Sequence, residues 1–471
     1  MAMSSIQGVE RLTHQLRDAR RRDVKLTAPF VPLSFFIMIM QLTVPDSDIV
    51  FGVSIVFYLS YAFYLLYIIG ELRNPIGIGF IIMLMYSYLP FIQGPESYGR
   101  MARFGVDGGY YIYSVAQFSF VFWVYISGYV FKLPEEVMVP EESPSELMGV
   151  AALCAAAIGS MLGFLYILRF GTVSSGDVAY GDSFTQRLEE GSGVLFLGGP
   201  FGMVGAAIVF TRAKLRPVDW LVALLPFAIM YVATTQRKFI VIPLVIFLAA
   251  RLRIKSIYAV GIILTALVCG ALLFSYLGFV RVRSISIDEV LSPDRMSEFW
   301  DSLGDYISGE TPALFGSASA AYAGFIEPLP YFGDYLLSWQ MSVPQFLLSS
   351  GFETVNTRFS FALTPTIAQL GGGWGFSYFG EAYLVGGFLG VFIMTMIVIF
   401  IFRYIYVMAE KNGRQSFFGL MLVCGAYHVI WFQRNAFGYF LKEYIIYQGA
   451  IIILVIWSAK IIYSMSRPPQ P

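Results

Sequence analysis

Arg237 and Lys238 stand side by side in the short stretch Thr234-Thr235-Gln236-Arg237-Lys238 between two apolar runs. Arg281 and Arg283 follow a third run, Arg434 ends a fourth, and Arg358 lies in a long aromatic-rich segment. Arg carries a planar fork that grips phosphate through two parallel hydrogen bonds, where Lys is a point charge. Glu381 lies in Gly375-Phe376-Ser377-Tyr378-Phe379-Gly380-Glu381-Ala382-Tyr383, at the start of a strongly apolar run. A carboxylate there is stabilised by a helix N-terminus, or marks a site that must handle a hydroxyl proton. His428, one of two histidines in the chain, falls inside another apolar run. It is either a hydrogen-bonded structural group or part of a polar interior; His14 reads as incidental. Asp305, Glu310, Glu327, Asp334 and Glu353 read mostly as solvated loop charges. No spacing argues for a metal, Asp46 and Asp48 being the nearest approach to a ligand pair.

The elements that must position these residues are membrane spans. The chain has 471 residues, 57% hydrophobic, 17% aromatic and only 13% charged, with a formal net charge of zero. A soluble domain is about 25% charged, and nothing here suggests nucleic acid as a partner. Runs near the ~20 residues needed to cross the hydrocarbon core centre on 26–45, 49–70, 76–93, 110–131, 147–169, 193–211, 218–235, 238–251, 256–280, 376–402, 415–434 and 443–463. The eighth is short, and 218–251 also reads as a re-entrant pair. The expected fold is an all-α polytopic membrane protein of about twelve transmembrane helices. The first run is long and lacks a small-residue cleavage site, so it reads as a retained helix. Cys154, Cys269 and Cys424 all fall in apolar runs and read as core packing.

Lys and Arg set the orientation. The basic arm 1–25 is expected in the cytoplasm, with Arg212, Lys214, Arg216, Arg251, Arg253, Lys255, Arg403, Lys411 and Arg414 in connections on the same side and 464–471 as a cytoplasmic tail. The acidic stretch 132–146 is an exception on that side. Residues 26–280 then hold nine spans, 281–375 form one large periplasmic loop carrying short helices, and 376–463 hold three more spans. A segment as long as 281–375 is too long for a plain connector. This sidedness puts Arg237, Lys238, Arg281, Arg283, Arg358 and Arg434 on the outer face, against the usual bias. Such a set could hold a lipid-linked pyrophosphate; the competing reading is ordinary snorkelling at the head groups. Snorkelling is the favoured reading for Arg100, Arg103, Arg187 and Arg295.

Four stretches resemble a bacterial oligosaccharide repeat-unit polymerase of the Wzy type, the O-antigen polymerase family. They are Thr235-Gln236-Arg237-Lys238; Pro330-Tyr331-Phe332-Gly333-Asp334-Tyr335-Leu336 with Val343-Pro344-Gln345; Gly373 through Gly390; and Arg434 at the end of the penultimate helix. Many relatives carry a basic residue after the loop Pro, where this chain has Gln345; Arg358 is then the substitute. The resemblance implies a glycosyltransferase C-like bundle in the bacterial inner membrane, working without metal or cofactor. Its substrates would be undecaprenyl-pyrophosphate-linked oligosaccharides and its setting the lipid bilayer, with a chain-length regulator as a further partner. It implies catalytic roles for Glu381, His428 and Arg281, and pyrophosphate binding by Arg237, Lys238, Arg283, Arg358 and Arg434. A lipid-linked oligosaccharide flippase is the first competing reading, but it would show internal repeats and a midplane site. An O-antigen ligase is the second, and would be expected to carry a His in the outer loop, where 281–375 has none.

Overall fold

The computed structural model describes residues 27–69, 75–93, 101–131, 145–171, 192–212, 214–234, 236–251, 292–303, 311–343, 352–369 and 375–466, with scattered positions between 265 and 289. Every regular element among the described residues is a helix. The apolar runs become Phe30–Thr43, Asp48–Ile69, Pro75–Gln93, Asp107–Val130, Ser145–Phe170, Gly198–Phe210 behind the 3-10 turn Ser192–Leu197, Pro217–Thr234, Lys238–Arg251, Tyr378–Asn412, Phe417–Phe432 and a composite Phe437–Ser466. The run 256–280 lies largely outside the described residues, as does the basic arm. Among the described residues, six helices are long and apolar enough to cross a membrane. Lys238–Arg251 has 14 residues and an internal Pro243, short of a full span. Its partner Pro217–Thr234 has 18 and meets the length.

The 24-residue helix Asp107–Val130 sits at the centre, with most of its residues buried. It carries five tyrosines and several Ser, which it can afford because protein rather than lipid surrounds it. A buried polar ladder fastens it to its neighbours. Gln117 donates to Ser87 at 2.8 Å, Tyr88 donates to Gln117 at 2.9 Å, and Gln41 donates to Tyr88 at 3.4 Å. Interhelical hydrogen bonds of this kind do the work that apolar burial cannot do inside lipid. Small residues do the rest: Gly159 and Gly198 meet so closely that a Cβ on either would stand 2.9 Å from the other's carbonyl oxygen. Leu33, Phe36, Ile49, Val56 and Leu168 point outward and are exposed, as a lipid-facing surface requires.

Glu381 does not sit on a continuous tenth span, as its sequence position suggests. Helix Tyr378–Asn412 breaks at Gly386 (φ −146°, ψ 19°) and Gly387 (φ 58°, ψ −151°). The Tyr378 hydroxyl nevertheless donates to the carbonyl of Met394 at 3.1 Å. In an unbroken helix those residues would be ~24 Å apart, far beyond a tyrosine's reach. The chain therefore folds back on itself: a short arm 378–385 carries Glu381, and a long arm 388–412 continues the bundle. Only Gly adopts the Gly387 conformation without strain. Gly390 lets the arms close, because a Cβ there would overlap the carbonyl oxygen of Ala382, whereas a Cβ on Gly386 meets nothing. Gly390→Ala should therefore cost about 1–3 kcal/mol through backbone displacement. Its thermal midpoint in detergent should fall below that of Gly386→Ala, which should match the parent protein.

The segment 281–375 does carry short helices: Pro293–Asp301, Thr311–Tyr322, Gly333–Leu336, Val355–Leu363 and Pro365–Gln369. Thr311–Tyr322 does not lie on a surface. It packs against the central helix, Pro75–Gln93 and the broken helix. Its small residues permit this: Ser319 accepts the Gly109 N–H at 3.0 Å, and Ser317 accepts the Ser377 N–H at 2.8 Å. Ser377 in turn caps the short arm by accepting from Gly380 at 3.3 Å. Of the cysteines, Cys424 alone is buried; Cys154 is half-buried and Cys269 exposed. Core packing therefore fails for Cys269.

Candidate functional site

Two charged patches flank the turn that joins Phe417–Phe432 to the last helix. The first holds Glu381, which is 2% exposed. Its Oε2 accepts the backbone N–H of Phe437 at 2.6 Å. Asp334 and Arg358 are its charged neighbours. Asp334 is 1% exposed, far from the solvated loop acid its sequence context suggests. Its Oδ2 accepts from Leu329 N–H at 2.8 Å, and its Oδ1 pairs with Arg358 Nη2. Arg358 Nη1 also donates to the Glu327 carbonyl at 2.6 Å.

This pair pins a turn of unusual backbone. Tyr331 (φ 54°) and Phe332 (φ 60°) are consecutive left-handed residues with bulky side chains. Such a conformation costs on the order of 1–3 kcal/mol per residue and persists only where neighbours impose it. The Asp334 bonds to Leu329 and Arg358 clamp the turn from both ends. Glu327 and Glu353 are exposed, and Glu327 joins the clamp only through its backbone carbonyl.

The second patch gathers cations on one indole. Lys238 Nζ lies 5.4 Å from the Trp431 ring centroid, and Arg434 Cζ lies 5.1 Å from it. Phe196 and Phe239 complete an aromatic surround for Lys238, at 5.9 and 5.3 Å. Glu443 and Arg434 are the charged neighbours of Lys238, and Glu443 also faces Lys442 and Trp431. Among the described residues, three cations and one carboxylate meet in this partly buried place. Arg237 is half-buried at the head of the helix that carries Lys238. His428 lies one turn before Trp431 on the same helix, buried against Tyr427 and Tyr444, with Nε2 lacking a hydrogen-bond partner among the described residues.

The structure thus groups Lys238, Arg434 and His428 in one patch and Glu381 with Arg358 in the other. Arg281 and Arg283 lie outside the described residues. The patches share an edge. The Gln433 carbonyl accepts the Tyr378 N–H at 3.2 Å, Asn356 donates to Asn435 at 3.1 Å, and Phe437 N–H holds Glu381. Two residues lie between Arg434 and Phe437, so their Cα atoms, three steps apart, are at most ~11 Å from each other. Just beyond, Phe440–Gln448 is wound as a π-helix, a geometry rare in general and frequent at functional sites. It presents Glu443 towards Lys238. Glu443 was not among the sequence candidates. Its signal was an ionisable residue opening an apolar run, the same signal that marked Glu381.

Fold and site together define a polytopic helical membrane protein with ionisable groups gathered at one turn of the bundle. The family model for O-antigen polysaccharide polymerase Wzy matches residues 178–467, more than half of the chain and inclusive of both patches. The chain belongs to that family, whose members polymerise O-antigen repeat units carried on lipid within a membrane. Neither the comparison with curated proteins nor that with solved structures finds a match.

Proposed function

We propose that the protein transfers a growing glycan from undecaprenyl pyrophosphate onto a sugar hydroxyl of a new lipid-linked repeat unit, at the periplasmic face of the inner membrane. In this reading about twelve spans carry the chain across the bilayer, with both termini cytoplasmic and 281–375 outside. The observation that carries it is the shared edge 433–437, with a positive patch on one side and a buried carboxylate on the other. A transfer from a pyrophosphate to a hydroxyl needs those two functions at that kind of separation.

The step balances with groups on the chain. The bond from the anomeric carbon to the diphosphate oxygen breaks, and its electron pair leaves on the diphosphate. Lys238 and Arg434, with Arg237, Arg281 and Arg283, hold that diphosphate and stabilise the charge it gains. The acceptor oxygen bonds to the anomeric carbon, and its proton passes to Glu381. No metal is invoked, since the cations occupy its role. His428, beneath Trp431, supports the floor of the cation patch. Arg358, with two nitrogens committed to Asp334 and the Glu327 carbonyl, contributes by fixing the turn.

Lys238→Met and Arg434→Met should each raise the KM for the lipid-linked donor about 10- to 100-fold, the worth of a charge-assisted hydrogen bond. The measurement is cell-free polymerisation at varied donor concentration. Arg281→Ala belongs in the same series and should weaken donor use in the same sense. Unchanged donor dependence in all three would overturn the diphosphate assignment.

A further inference from the structure

Tyr335 ends the clamped turn. Its ring stands edge-on to Phe437, with centroids 5.5 Å apart and planes at 84°. Its backbone carbonyl accepts from Ser338 Oγ at 2.7 Å, so its position is set by the loop. Its hydroxyl is shielded and has no hydrogen-bond partner among the described residues. A buried hydroxyl in that condition is costly to keep, and a Phe would fill the same space without that cost. Glu381 and Asp334 are the carboxylates that act on it electrostatically. Asp334 is already engaged through both oxygens, while Glu381 is held through Oε2 alone. Burial first, then Glu381, Tyr378 and Asp334, push the phenol well above the usual tyrosine range, so it stays a donor at neutral pH.

We infer that the Tyr335 hydroxyl binds the acceptor sugar, donating to a ring hydroxyl beside the one whose proton Glu381 takes. This rests on the function proposed above and adds a residue that selects which hydroxyl attacks. A sugar presents neighbouring oxygens that can each donate and accept. A carboxylate that takes a proton and a phenol that donates one, each held against Phe437, supply the complementary groups that two oxygens of one sugar ring would need. A site that hydrogen-bonds a hydroxyl discriminates strongly, because a wrongly placed ring leaves the donor unpaired.

The test is Tyr335→Phe in the purified full-length protein, with a preformed lipid-linked two-unit chain as donor and a single lipid-linked unit as acceptor. The acceptor KM should rise about 10-fold or more, with the donor KM unchanged. A larger share of product should carry a wrong linkage position, read by NMR. The thermal midpoint should hold or rise, since an unpaired buried hydroxyl has been removed. An unchanged acceptor KM and linkage, or a midpoint that falls in step with activity, overturns the assignment. If the parent protein makes no polymer, the proposed function falls as well; if it does and Tyr335→Phe equals it, this inference alone falls.

Discussion

Glu381→Gln is expected to abolish polymer while leaving the protein in the membrane at normal abundance. Gln keeps the shape and can still accept the Phe437 N–H through its carbonyl. What it cannot do is take a proton. General-base catalysis contributes about 10²- to 10⁴-fold, so the transfer rate should fall into that range. Cells carrying the variant should display single repeat units and no ladder. Glu381→Asp should recover only part of the activity, because the shorter side chain cannot both meet Phe437 N–H and reach the acceptor. A wild-type ladder from Glu381→Gln at normal protein level would remove Glu381 from the reaction.

The second large effect is expected at the Asp334–Arg358 pair. Asp334 is fully buried and Arg358 side-chain exposure is 20%. Removing one partner of a buried pair leaves an uncompensated charge, at a cost of about 3–5 kcal/mol. Here the cost falls on the turn that holds Tyr331, Phe332 and Tyr335. Asp334→Ala should therefore expose 323–343 to protease in vesicles and lower polymerisation about 100-fold, with the rest of the bundle intact. Arg358→Ala should do the same. The double variant should be no worse than either single, since the two share one interaction, with a coupling about as large as one single loss, ~3–5 kcal/mol. Additive losses would mean that Arg358 acts on the substrate separately from Asp334.

Much of the scaffold is legible without coordinates. Uninterrupted apolar runs carry their own helices, because only intra-segment hydrogen bonding satisfies a backbone in lipid. Glu381 and the cations at 238 and 434 stand out for the same reason, as costly groups beside apolar sequence. The fold-back at Gly386–Gly387 is less legible, since glycines are ordinary in membrane helices. Thr311–Tyr322 reads as loop because its small residues make no 20-residue apolar run, yet those residues are what let it enter the bundle. The clamp between Asp334 and Arg358 joins positions 24 residues apart through a turn whose conformation no local pattern announces. Lys238 and Arg434 meet on Trp431 only through tertiary packing. Glu443 was hidden by standing at the first position of an expected span, where a charge looks like an ordinary end.

The most direct measurement is a defined reaction with the purified protein in liposomes, undecaprenyl-pyrophosphate-linked repeat units as the only glycan donor, and a lipid A core added as a competing acceptor. A chelator should be present throughout, and products should be resolved by size. The account predicts a ladder spaced by one repeat unit, with undecaprenyl pyrophosphate released at each step. Repeat units that cross the bilayer unchanged, or that move only onto an added lipid A core, would contradict it.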